Sequence, residues 1–193
     1  MTDWDQRYRA GEHLPAHPHH LLVTATEPLA PGRALDLACG AGRHSIYLAS
    51  KGWRVTAVDN SQAGIEVACR RAHKNGVMIE TVVADLECGE FKIDFAAYDL
   101  ICVFYYLQRD LFAGIKDGLR GNGIFVGAIH IIDDQADSHQ MNPAYLLAQG
   151  ELKAFFSGWR IDHYQEGRHE GGDHKHRDAE IIACKPSVPD RPD

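Results

Sequence analysis

The sequence predicts an α/β protein, a three-layer sandwich built on a seven-stranded, mostly parallel sheet that closes with a C-terminal antiparallel hairpin. Three observations lead there. Two strand–turn–helix units stand in tandem between residues 34 and 74, the alternation continues to residue 131, and the last two apolar runs follow one another with no helix between them. Alternating strands and helices build a parallel sheet covered on both faces, whereas strands joined without a helix pair as a hairpin.

Taken in order, Trp4 to Tyr8 and His20 to Glu27 read as short helices ahead of the first strand, a segment over residues 1–30 that caps the site. Ala34 to Leu37 and Trp53 to Val58 are buried strands, followed by helical patterns at Arg43 to Ser50 and Gln62 to Lys74. Met78 to Val83, Tyr98 to Val103 and Gly123 to Ile131 are the next strands, with an amphipathic helix at Leu111 to Leu119. Glu151 to Phe156 is the last helix, and Trp159 to Tyr164 pairs with Ala179 to Cys184 across a connection rich in glycine and histidine. Residues 1–185 form one domain in this reading, and the proline-rich residues 186–193 a flexible tail.

The chain has 193 residues, 45% hydrophobic and 24% charged, enough to bury a core without disulfides. Five scattered cysteines lack metal-ligand spacing and read as free thiols of a reducing compartment, which with the absence of a leader pattern predicts a cytoplasmic protein. A net charge of −7 argues against nucleic acid, and no apolar run is long enough for a membrane. The expected partner is a small molecule, and the expected state a monomer or homodimer.

The most informative stretch is Leu35-Asp36-Leu37-Ala38-Cys39-Gly40-Ala41-Gly42-Arg43. A strand enters a two-glycine turn that opens a helix, so backbone can approach a ligand closely. Asp59 ends the second strand about 20 residues on, where an acid accepts hydrogen bonds from a ribose. Asp36 is expected to aim its carboxylate into the site, where it repels a pyrophosphate and stabilises an ammonium or sulfonium. Ser45 stands where the dinucleotide fingerprint needs a third small residue. Asp85, after the third strand, reaches for an adenine amino group. These charges favour S-adenosylmethionine over NAD(P).

Leu35 to Gly42, Val55 to Ser61 and Ala84-Asp85-Leu86 resemble the first three motifs of class I S-adenosylmethionine-dependent methyltransferases. Trp4 to Tyr8, Gly42 to Ala49, Gly150-Glu151-Leu152 and Ile181 to Pro186 are similar to the small bacterial tellurite-resistance (TehB-like) type. The resemblance implies a Rossmann-like sheet and a cofactor site of Asp36, Ala38, Gly40, Gly42 and Arg43 on the methionyl part. It gives Asp59 and Asn60 the ribose, Asp85 and Leu86 the adenine, and Val103 and Phe104 the space beneath the sulfonium.

On the acceptor side, His130 and His174 are candidate bases, and Tyr105, Tyr106, His169, His176 and Arg177 candidate contacts. The acceptor implied is a metalloid oxyanion or a thiol. No metal is expected, since the histidines at 13, 17, 19 and 20 and those near the end read as solvated loop residues. Two rival readings stay open: a nicotinamide-dependent oxidoreductase and a non-catalytic S-adenosylmethionine-binding protein.

Overall fold

A computed structural model describes residues 4–12, 14–132, 142–168 and 177–187. Seven strands form one sheet: β1 (Arg33–Leu37), β2 (Arg54–Asp59), β3 (Glu80–Val83), β4 (Tyr98–Phe104), β5 (Leu119–His130), β6 (Arg160–Gly167) and β7 (Asp178–Cys184). Their order is β3-β2-β1-β4-β5-β7-β6. The first five run parallel, while β7 is antiparallel to both β5 and β6. The helices are α1 (Trp4–Arg9), α2 (His20–Thr26), α3 (Arg43–Ser50), α4 (Gln62–Lys74), α5 (Leu111–Gly118) and α6 (Glu151–Phe155).

The predicted fold class is the one observed, with shifts of two or more residues at three strand ends, among them β6, which runs on to Gly167 past the expected Tyr164. Met78, expected in the third strand, is 91% exposed and precedes β3. β5 starts four residues before the predicted Gly123, because Leu119 pairs with Tyr98 ahead of an irregularity in the β4–β5 register.

Strand alternation divides the core between two faces. Ala34, Val55, Leu100, Phe104, Val126 and Ala128 meet Leu21 and Leu22 of α2 and Leu48 of α3. Ile101, Val103, Phe125 and Ile181 point the other way, onto Phe112 and Ile115 of α5 and Leu152 of α6. There Phe112 stacks on Phe155 with ring centroids 4.1 Å apart. Fully buried side chains of this size each contribute about 1.5–3 kcal/mol, so these two layers hold the strand ends in fixed positions. Among the described residues no helix is long and apolar enough to cross a membrane.

Candidate functional site

Parallel α/β sheets bind ligands beyond the C-terminal ends of their strands, where helix N-termini and loops converge. Here that edge carries Ala38 at φ 55° just after β1 and Tyr105 at φ 60° just after β4. Left-handed backbone at residues with a β-carbon is strained and clusters at functional sites. An open groove of about 720 Å³, lined by Arg33, Arg54, Met78 and Glu80, lies at the opposite edge. The strained turns and buried acids, not volume, mark the site.

Asp59 organises the glycine turn. Its Oδ2 accepts the Gly40 N–H at 2.7 Å and its Oδ1 the Ser61 N–H at 2.9 Å. Burial still raises its pKa, because desolvation outweighs those two bonds. A carboxylate offers about four lone-pair sites, so each oxygen retains capacity for a ligand hydroxyl. Asn60, beside it, is exposed. Gly42 caps α3 at φ 77°, and a β-carbon there would meet the Ala68 methyl at 2.7 Å. This glycine therefore serves the close packing of α3 on α4.

Asp36 departs from its expected orientation. It is 1% exposed and held from within the protein, by the Ser45 hydroxyl at 2.5 Å and the Cys102 thiol at 3.5 Å. Burial pushes its pKa up to about 6, against the opposing effect of the Ser45 and Cys102 hydrogen bonds. The acid lies beneath the turn, on the α3 face of the sheet, rather than open to the groove.

Asp85 is half-buried, and its Oδ1 accepts the N–H groups of Glu87 and Cys88, so it caps its own turn. Leu86 is buried, and its carbonyl accepts from Gln108 Nε2 at 3.1 Å. Val103 and Phe104 are buried at the end of β4.

Tyr105 and Tyr106 part company. Tyr105 packs with the α2 and α3 layer, its ring 4.9 Å from His130 and 5.8 Å from the Arg43 guanidinium. Tyr106 packs with the α5 layer and donates to Gln108 at 2.8 Å, on the Leu86 side. Consecutive residues leaving a strand point to opposite faces, a rule that separates the two from sequence alone.

His130 closes the other end of the site. Its Nδ1 lies 2.5 Å from Oδ1 of Asp178, which is buried on the neighbouring strand. With Nδ1–H donating to that carboxylate, the ring carries its lone pair on Nε2. Arg177 precedes Asp178 and is half-buried. His169, His174 and His176 lie outside the described residues.

Two features escaped the sequence reading. α1 lies on α4, with Asp5 accepting from the Ser61 hydroxyl at 2.7 Å and the Ala63 N–H at 3.0 Å. Tyr8 then covers the glycine turn, where a β-carbon on Gly40 would come to 2.3 Å from its hydroxyl. The N-terminal segment thus packs against the glycine turn, through contacts that no local pattern announces. The second feature concerns histidines read as solvated. His19 is 7% exposed and caps α2, its Nδ1 accepting the Leu21 N–H at 3.2 Å. Together with His20 and His163 it faces Glu180 on β7. The expectation that no metal is held rested on spacing along the chain, and these residues are adjacent only in the fold.

The sheet order and the glycine turn at its C-terminal edge define a Rossmann-like α/β protein of the ligand-binding kind. A family model described as tellurite resistance protein TehB matches residues 5–182, and the chain belongs to that family. It is 25% identical over 155 residues to the probable S-adenosyl-L-methionine-dependent methyltransferase TehB of Haemophilus influenzae, covering 79% of this chain and 54% of that protein. The chain therefore spans about half the length of this curated relative. The crystal structure of TehB from Haemophilus influenzae superposes with a TM-score of 0.75 at 22% identity, covering 94% of this chain and 67% of that one. The [4+2]-cyclase SpnF superposes with a TM-score of 0.73 at 15% identity, covering 96% and 94%. Both likenesses concern the fold.

Proposed function

We propose that this protein is an S-adenosylmethionine-dependent methyltransferase acting on a small acceptor with a soft nucleophile, a thiol or a metalloid oxyanion. The observation that carries the reading is Asp36. Its burial at 1% makes its negative charge costly, so that its pKa rises to about 6. From beneath the turn Asp36 acts on a ligand through its field and not by contact: a cationic group beside the turn relieves that cost, and a pyrophosphate adds to it. The donor set fits S-adenosylmethionine on these grounds, and the names of the relatives agree.

In this reading Asp36, Ala38, Gly40, Gly42 and Arg43 border the methionyl part. Asp59 and Asn60 take the ribose, Asp85 and Leu86 the adenine, and Val103 and Phe104 the space beneath the sulfonium. When bound, the cofactor supplies an electrophilic methyl group that a nucleophile takes by in-line displacement, for which alignment supplies much of the rate. His130 is the base: Asp178 fixes its Nδ1 proton, and Nε2 takes a proton from the acceptor. Tyr105, packed on His130, walls the acceptor side. Arg177, His169, His174 and His176 are assigned to the same side from the sequence. Tyr106 is reassigned to the adenine side by its contact with Gln108.

The test is a melting-temperature screen with S-adenosylhomocysteine and NADH, followed by incubation of the protein with labelled donor and a panel of small thiols and oxyanions, read by mass. A shift with S-adenosylhomocysteine and a methylated product are expected. A shift with NADH alone overturns the reading, and cofactor binding with no methylated acceptor assigns the site to other chemistry on the same fold.

A further inference from the structure

The grouping of histidines around Glu180 is not used by the reaction proposed above. Glu180 sits in mid-strand on β7, paired with Ala128 on one side and Gln165 on the other, and is 1% exposed. His19 Nε2 lies 3.6 Å from its Oε1, His20 Nε2 3.6 Å from Oε2, and His163 Nε2 3.4 Å from Oε2. One ligand atom from each of His19, His20 and Glu180 falls within 4.8 Å of the others.

These distances are long for hydrogen bonds, whose usual N···O separation is about 2.9–3.0 Å. They lie just beyond the N···O edge of a tetrahedron around an ion with bonds of about 2.0–2.2 Å, roughly 3.3–3.5 Å, and His19 and His20 approach different oxygens of the carboxylate, so an ion draws the three groups together from separations of up to 4.8 Å. We propose that His19, His20 and Glu180 form a site for a zinc-class divalent cation, with His163 orienting the carboxylate from its other flank.

The donor set supports that class. Two imidazoles and one carboxylate suit zinc and its transition-metal neighbours, whereas calcium and magnesium call for oxygen ligands throughout. His163 Nε2 is buried and has no hydrogen-bond partner among the described residues, which suits a group waiting on a polarised carboxylate. His20, with a side chain 59% exposed, gives an ion a route in from solvent.

One contact opposes the site. The Leu21 N–H donates to His19 Nδ1, which leaves the proton on Nε2. Coordination through Nε2 transfers that proton to Nδ1 and breaks the cap. The magnitudes favour the ion, since a helix cap contributes roughly a tenth of what a structural zinc does.

The site has three protein ligands, the count that keeps a fourth position open in catalytic zinc centres. It adjoins the acceptor side, the His19 ring being 5.1 Å from Phe104 and 5.9 Å from Tyr105. The ligand class for the open position is a soft anion such as a thiolate. The cation site stands independently of methyl transfer, and its test needs no methyl donor.

Calorimetric titration of the full chain with zinc, after treatment with a chelator, is expected to show one tight ion. Cobalt at the same site gives the visible absorption of low-coordinate geometry. His20→Ala and Glu180→Gln are each expected to weaken binding by at least about a hundredfold and His163→Ala by about tenfold, with His17→Ala unchanged. If Glu180→Gln fails to fold, the exposed His20 carries the test. No zinc uptake, or equal affinity in wild type and His20→Ala, overturns the proposal, the latter because other histidines then hold the metal.

Discussion

The hydroxyl of Tyr8 occupies the place where a β-carbon on Gly40 would stand, at 2.3 Å. Gly40 also has φ 54°, so a side chain there is strained by backbone as well as by contact. Gly40→Ala is expected to lower stability by about 1–3 kcal/mol and to release α1 from α4. Tyr8→Ala should recover the contact share but not the backbone share. Urea denaturation of both single variants and the double variant, with proteolysis near Tyr8, separates the two. Additive effects would dissociate Tyr8 from the turn.

Asp59 holds the N–H groups of Gly40 and Ser61 at once. Asp59→Ala strands two buried donors and is expected to cost about 2–5 kcal/mol. Asp59→Asn keeps one acceptor and should cost less than half of that. Both are expected to weaken S-adenosylhomocysteine binding at least about tenfold, by one hydrogen-bonded pair. Calorimetry on the folded fraction checks this, and full affinity in Asp59→Ala removes the ribose role.

Asp36 makes stability depend on pH in the sense opposite to most carboxylates. Its pKa rises on folding from 3.8 to about 6, so the folded state binds the proton more tightly than the unfolded chain. The resulting stabilisation is complete below about pH 4 and is lost as pH rises through about 6, by about 3 kcal/mol in all. Asp36→Asn lacks this dependence. The stability of the variant relative to wild type should therefore climb between pH 4 and 7, as followed by urea midpoints, and a flat difference would mean that the acid is not desolvated.

Arg109 ties three segments together. It donates to both oxygens of Glu151, at 2.6 and 3.1 Å, and to the carbonyls of Ala144 and Leu146. Glu151 in turn accepts the Ala148 N–H at 2.8 Å. The pair is partly exposed, so solvent screening limits its worth. Arg109→Ala is expected to cost about 1 kcal/mol and to speed amide exchange at Leu146 and Leu147 more than at β1. Uniform exchange changes would argue against a local clasp.

The elements were legible because their signals are local. Apolar runs such as Leu100 to Val103 and the glycine turn at Gly40 and Gly42 encode strand and boundary within a few residues, and α3, α4 and α5 begin where the pattern places them. The positions of Asp36 and Asp59 at strand ends were legible for the same reason. The direction of the Asp36 carboxylate was not, since it depends on Ser45 in the first turn of α3 and on Cys102 in β4, paired with Asp36 in the sheet but three strands on in sequence. Glu180 presents a harder case. Its neighbours His19 and His20 lie some 160 residues earlier and meet it only because β7 inserts between β5 and β6 beneath α2. Arg109 and Glu151 are similarly remote, and nothing in either local context marks them as a pair.

The docking of α1 also bears on how the protein is handled. Trp4 and Tyr8 stack with ring centroids 5.9 Å apart, so the aromatic that shields the glycine turn begins one helical turn from Trp4. An affinity tag fused ahead of this helix would be tethered at the entrance it guards, and purification handles belong beyond Lys185 instead.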